Sequence, residues 1–268
     1  MLTRLSTRPG YRPWRLALLA PLLIPLAAVS AAAQTVPPVT VGAGVQTSFV
    51  HTSPDGGTST DTFPLNSVRL YVNGAATSSV KYMFNTEYDS TNHVNVLDAA
   101  AQYSASPMFN IWAGRFLPPS DRANLYGPYY SNEWAVYTDG VQDGYPFVAT
   151  GRDNGVLYWG QFGIMKLSAG VFDGPSATGN KDMLGAGRVQ FDFWDKEDGY
   201  YLNGTYYGGK NLLAVGAAAQ TQNGNNAWNV DFLLEKKVPG GGAATVESEY
   251  ANYDKLGGYS SHYGEDKG

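Results

Sequence analysis

Segments of about ten residues, in which apolar and polar side chains alternate, recur along almost the whole chain. Alternation at period two puts one class of side chain on each face of a strand. Segments of this length exceed the roughly five or six residues of ordinary strands. After the first thirty or so positions, no apolar stretch approaches the ~20 residues that a spanning helix needs. Such a chain folds as sheet. If it crosses a membrane it crosses as strands, because only helices and closed barrels satisfy every backbone group in lipid.

Eleven segments carry the pattern: 39–51, 63–74, 80–89, 94–104, 108–116, 155–162, 165–172, 184–194, 212–222, 227–237 and 243–254. In the second, Val68, Leu70 and Val72 alternate with Arg69, Tyr71 and Asn73. In the tenth, Trp228, Val230, Phe232 and Leu234 oppose Asn229, Asp231 and Glu235. The inward or outward phase of 108–116 and 155–162 stays open. With the N-terminus placed in the periplasm, the connections 75–79, 105–107, 163–164, 195–210 and 238–242 fall on the inner side and should be short. The connections 52–62, 90–93, 117–154, 174–183 and 223–226 then fall outside. Residues 195–210 break that rule. Residues 117–154 lose all alternation and carry four prolines. A connection this much longer than the usual ~4–6 residues is normally functional. It is the third outer loop on this count.

Each segment has one face free of charge and one bearing it. A soluble β-sandwich also alternates, with its apolar face inward. Two features favour a membrane barrel: the segments are long, and their apolar faces mix Ala, Val, Phe, Trp and Tyr instead of dense core residues. Tyr88, Tyr103, Trp112, Trp159, Trp194 and Trp228 near strand ends suit interfacial girdles. The charged face supplies the candidate pore lining: Arg69, Lys81, Lys166 and Arg188 with Glu87, Asp98, Asp192, Asp231, Glu235, Glu247 and Glu249. The long loop supplies a candidate constriction of Asp121, Glu133, Asp139, Asp143 and Asp153 with Arg122 and Arg152. Both sets lean acidic, and an acidic lumen attracts cations by its long-range field alone.

The first 33 residues form a separate unit in this reading. Arg4, Arg8, Arg12 and Arg15 precede an apolar run from Leu16 to Val29, and small residues follow to Ala33. That order is a cleavable secretory signal peptide. The run is short for a span and holds Pro21 and Pro25. Without those four arginines, 14 of the 18 Lys+Arg remain against 23 Asp+Glu, a net charge of −9 for residues 34–268. This charge disfavours nucleic acid as a partner. The chain has no cysteine, which excludes disulfides and thiolate metal sites. Its three histidines lie at loop or strand ends with no nucleophile motif nearby, and Gly151 to Gly155 does not sit between a strand and a helix. No enzyme, metal or cofactor is expected.

Several stretches, in order, carry a resemblance. They are Val68-Arg69-Leu70-Tyr71-Val72-Asn73-Gly74, Ala113-Gly114-Arg115-Phe116-Leu117-Pro118-Pro119 and Thr150-Gly151-Arg152-Asp153-Asn154-Gly155-Val156. Ala169-Gly170-Val171-Phe172-Asp173-Gly174 and Val238-Pro239-Gly240-Gly241-Gly242-Ala243 complete the set. The chain resembles the phosphate-selective porin O and P family. The resemblance implies a transmembrane antiparallel β-barrel of sixteen strands, a homotrimer in bacterial outer-membrane lipid, passing small hydrophilic solutes or ions. Family members that select phosphate use basic residues along the pore. Here 117–154 has no lysine and the charged face is acidic. The expectation is therefore a porin for passive diffusion, general or weakly cation-preferring. The alternatives are a phosphate- or anion-selective porin, a non-conducting structural or adhesive barrel, and a secreted glycan-binding sandwich. Eleven strands is an odd number, and Ser260 to Gly268 reads as a polar outer loop. A sixteen-stranded barrel would need about five strands more.

Overall fold

A computed structural model describes residues 38–89, 93–126, 151–174 and 183–254, and the backbone of 265–267. The expected signal peptide and most of the expected third outer loop lie outside the described residues. The first strands are β1 (Val39–Thr47), β2 (Val50–Thr52), β3 (Thr60–Thr62), β4 (Leu65–Ala75), β5 (Val80–Asp89), β6 (Val94–Ser106) and β7 (Phe109–Phe116). A one-turn helix, α1 (Arg122–Tyr126), follows. Then come β8 (Asp153–Phe162), β9 (Met165–Phe172), β10 (Leu184–Asp192), β11 (Leu212–Gln222), β12 (Asn225–Val238), β13 (Gly242–Asp254) and β14 (Glu265–Lys267). No helix among the described residues is long and apolar enough to cross a membrane.

The fold is all-β. Twelve strands form one sheet in the order β1-β4-β5-β6-β7-β8-β9-β10-β11-β12-β13-β14, and β2 and β3 pair separately. Every pairing is antiparallel. This up-and-down order gathers the connections at two ends. One end holds 76–79, 107–108, 163–164, 193–211 and 239–241; at the other lie 48–64, 223–224 and the points where the chain leaves β7 and enters β8. At the second end Asn223 and Gly224 take φ of 51° and 78°, with Gln222 facing Asn225. Two left-handed residues in a row make the turn whose twist matches a hairpin, and Asn-Gly is the pair that tolerates it.

The eleven predicted segments all appear as strands, with ends shifted by a few residues. Two readings are corrected. The first segment, 39–51, is two strands: the ladder slips after Gln46, β1 stops at Thr47, and β2 turns away to pair with β3. The chain end is not wholly loop, because Glu265–Lys267 pairs with Asn252–Asp254 as a short twelfth strand of the sheet.

The two faces of the sheet are inverted relative to a water-soluble protein. The apolar face is exposed: Val41 is 68% exposed, Val246 55% and Val230 43%. The polar face is buried: Asp98 and Asp231 are 2% exposed and Arg188 5%. The phases left open resolve on the same rule. On β7 Asn110, Trp112 and Phe116 lie on the buried face; on β8 Asp153, Leu157 and Trp159 do, with Val156 exposed on the other. Trp112 and Trp159 are therefore not girdle residues. Trp112 meets Phe116 edge-on at 5.8 Å and Trp159 at 6.3 Å, inside the polar-face side, where both connections described next supply packing partners.

Candidate functional site

Strands β10 to β13 bring Arg188, Gln190, Asp192, Asn229, Asp231, Glu235, Glu247 and Glu249 onto the buried face. Arg188 on β10 reaches across β11 to Asp231 on β12. It does so over Gly216, the register partner of Asp231; a Cβ there would collide with the Arg188 guanidinium and the Asp231 carboxylate. Arg188 binds both Asp231 oxygens, Nη2 donating to Oδ1 at 2.7 Å, and also donates to Gln190 Oε1 at 3.0 Å and Ser120 O at 3.2 Å. All four of its Nη–H groups are used.

The start of the connection after β7, expected from the sequence to be the third outer loop, folds onto this bed. Leu117 to Tyr126 is buried throughout. Asp121 caps α1, accepting from Asn124 N at 2.6 Å, three residues on. Asp231 Oδ2 accepts from Arg122 N at 3.1 Å, and Gln220 Nε2 donates to Pro119 O at 2.7 Å. Burial pushes the Asp121 carboxyl up to about 7, helped by the Asp231 charge and opposed by the donors at Asn124 and Ser120 and by Arg188.

The 195–210 connection enters from the opposite end of the sheet and covers the rest. Its Glu197 was not a candidate, yet it is the hub. Arg122 binds it through both guanidinium Nη atoms, and each side chain is fully buried. Gln190 Nε2 and Tyr206 OH donate to Glu197 at 2.7 Å and 2.9 Å. Glu197 N donates to Asp192 Oδ2 at 3.1 Å. Burial alone would raise the Glu197 carboxyl, but the Arg122 charge and hydrogen bonds outweigh it and hold the group below its ordinary value. Glu235, which the sequence places in the lumen wall, is also fully buried. It accepts from Thr205 Oγ1, Tyr206 N and Gly208 N, each at 2.8 Å, and so anchors the connector instead of facing open space. Tyr200 OH donates to Leu117 O at 2.8 Å. Burial raises the Tyr200 phenol well above its usual range.

The remaining candidates divide in two groups. On the β4–β6 side, Arg69 Nε donates to Glu87 at 2.7 Å. Asp98 collects Asn85 at 2.8 Å, Arg152 at 3.1 Å and Tyr201 OH at 3.2 Å. On the β12–β13 side, Glu247 accepts from Tyr126 OH and Glu249 from Asn229, each at 3.3 Å. Lys166 is buried, and its Nζ has no hydrogen-bond partner among the described residues. Asp153 belongs to β8 and not to the loop; it accepts from Asn154 N at 2.8 Å and Gly174 N at 2.6 Å at the strand end. Glu133, Asp139 and Asp143 lie outside the described residues. Lys81 is exposed and lines an open cavity of about 510 Å³ with Gln102, Trp112, Trp159, Asp198 and Tyr201. Among the described residues, no three His, Asp or Glu side chains are placed to hold a metal.

Glu197, Tyr200 and Tyr201 escaped sequence reasoning. The available signal was 195–210 itself: too long for its side of the sheet and rich in Tyr and Gly.

No protein-family model matches the chain, and no curated protein matches it. Among solved structures, the chain is similar to an anion-selective porin from Comamonas acidovorans at 15% identity and a TM-score of 0.38, over 81% of this chain and 79% of that one.

Proposed function

We propose that this chain is a bacterial outer-membrane porin, exported by its N-terminal signal peptide, whose strands span the bilayer and whose polar face passes small hydrophilic solutes or ions. It is not an enzyme in this reading. The inverted sheet carries the proposal: a long array of exposed Val, Leu, Phe, Trp and Tyr on one face, and buried charge on the other. In water such an apolar surface exceeds what monomeric proteins expose. In a bilayer it is the required outer surface, with the polar face inward. A sandwich would bury the face that is exposed here. In lipid the edges of β1 and β14 need partners, through closure or another chain. A trimer would use the same apolar face.

Carboxylates outnumber cations on the described polar face, so the pore is general or weakly cation-preferring. A phosphate site has less support. It needs convergent free guanidinium forks, and those of Arg122 and Arg188 are taken by Glu197 and Asp231. Reversal potentials across planar bilayers under a KCl gradient test this. A modest cation preference is expected; a strong anion preference overturns it.

A second reading, a non-conducting structural barrel, is favoured by the complete burial of 117–126. Absence of any single-channel step in the same bilayers would select it.

A further inference from the structure

The open cavity lies where the two inserted connections leave the polar face uncovered, among β5 to β8 and the connector. Its walls are aromatic. Trp112 packs edge-on against Trp159 at 6.3 Å and 89°, and against Tyr201 at 5.6 Å and 76°. The Tyr201 hydroxyl is committed to Asp98, so its ring presents carbon to the cavity. Polar groups border these rings: Gln102 on β6 is the register partner of Trp112, Asn110 on β7 is that of Trp159, and Lys81 is exposed on β5 beside Gln102. The lining holds one carboxylate, Asp198, which pairs with Lys210 at 3.2 Å, and one cation, Lys81, and the volume of about 510 Å³ suits a small organic molecule.

We propose that this cavity binds a neutral pyranose sugar. A pyranose offers a flat C–H face and a rim of hydroxyls. The C–H hydrogens carry partial positive charge and the aromatic face partial negative charge, so the two pack together. The rim hydroxyls meet donors and acceptors such as Gln102 and Lys81. A hydrated ion would leave the aromatic wall unused. An open-chain polyol has the hydroxyls without the flat face. The role in permeation rests on the porin reading above; the binding itself does not.

Calorimetric titration of the full chain in detergent with maltose tests it, with sorbitol as the open-chain control. Saturable maltose binding and no sorbitol binding are expected. Trp159→Ala should weaken maltose by roughly tenfold, Trp159→Phe should recover most of that loss, and the exposed Lys81→Gln should weaken it severalfold without touching the fold. In bilayers, maltose should interrupt the current. Conductance with no maltose effect in either experiment overturns the sugar site and leaves the pore. Maltose binding without conductance overturns the pore and leaves the site. Equal maltose affinity in Trp159→Ala, Lys81→Gln and the parent overturns the assignment of the cavity.

Discussion

Arg122 and Glu197, 75 residues apart, form a two-point ion pair in which neither side chain is exposed. Each belongs to a connection entering the polar face from a different end of the sheet. The pair is a latch between them. Removing one partner of a buried pair leaves an uncompensated charge and costs about 3–5 kcal/mol, whereas replacing both by apolar groups costs far less. Glu197→Gln and Arg122→Ala should each lower the urea midpoint and open 117–126 to protease. Arg122→Met with Glu197→Leu should recover much of the loss. Single variants as stable as the parent would show that the latch bears no strain from burial.

Asp121 and Glu197 should give this docking a pH optimum. The folded Glu197 carboxyl lies below its ordinary 4.5, so its contribution is present above that value and lost as pH falls through the folded value. Asp121 rises from 3.8 to about 7, so its contribution is full below 3.8 and lost as pH rises through about 7. Docking should be firmest near about pH 4, between 3.8 and 4.5, and loosen on both sides. Asp121→Asn should flatten the loss on the alkaline side. Denaturant midpoints across that range measure it; an unchanged alkaline slope in Asp121→Asn assigns the loss to another group.

Gly216 is a spatial requirement of the Arg188–Asp231 pair. Gly216→Ala places a methyl group on both partners. Overpacking of this kind costs about 1–3 kcal/mol. Gly187→Ala, whose added carbon would meet only Ser168 O at 3.6 Å, is the control and should be near neutral. The two urea midpoints should separate; equal values would mean that Arg188 moves aside freely.

The strands were legible because period two holds along most of each segment, the slip after Gln46 being the break that it hid. Even the buried positions Arg188, Asp231 and Glu235 fall on the face that alternation assigns. What the sequence hid was the occupancy of that face. Alternation gives the direction of a side chain but not what lies against it. Asp231 and Glu235 read as wall charges, yet one holds the third loop and the other the connector. Trp112 read as a girdle residue because aromatics near strand ends look alike from either side; its phase was unreadable in a segment whose neighbours Ala113 and Gly114 carry little polarity signal. The connector broke the length rule without showing where it goes, since a chain of Tyr, Gly and Asp is equally suited to solvent and to a polar interior.

The apolar face offers the sharpest test of the membrane assignment. Val230 lies within β12, and Val238, on the same face, lies at its end beside the 239–241 turn; both are exposed. In water, arginine at either site should change stability by less than about 0.5 kcal/mol. In a bilayer the cost depends on depth, about 2–4 kcal/mol near the midplane and about 0–1 near the interface. Val230→Arg should therefore be much more costly than Val238→Arg when folding is followed by urea titration in phospholipid vesicles. The difference should vanish if the face meets water, and two small, equal costs would remove the bilayer from this account of the sheet.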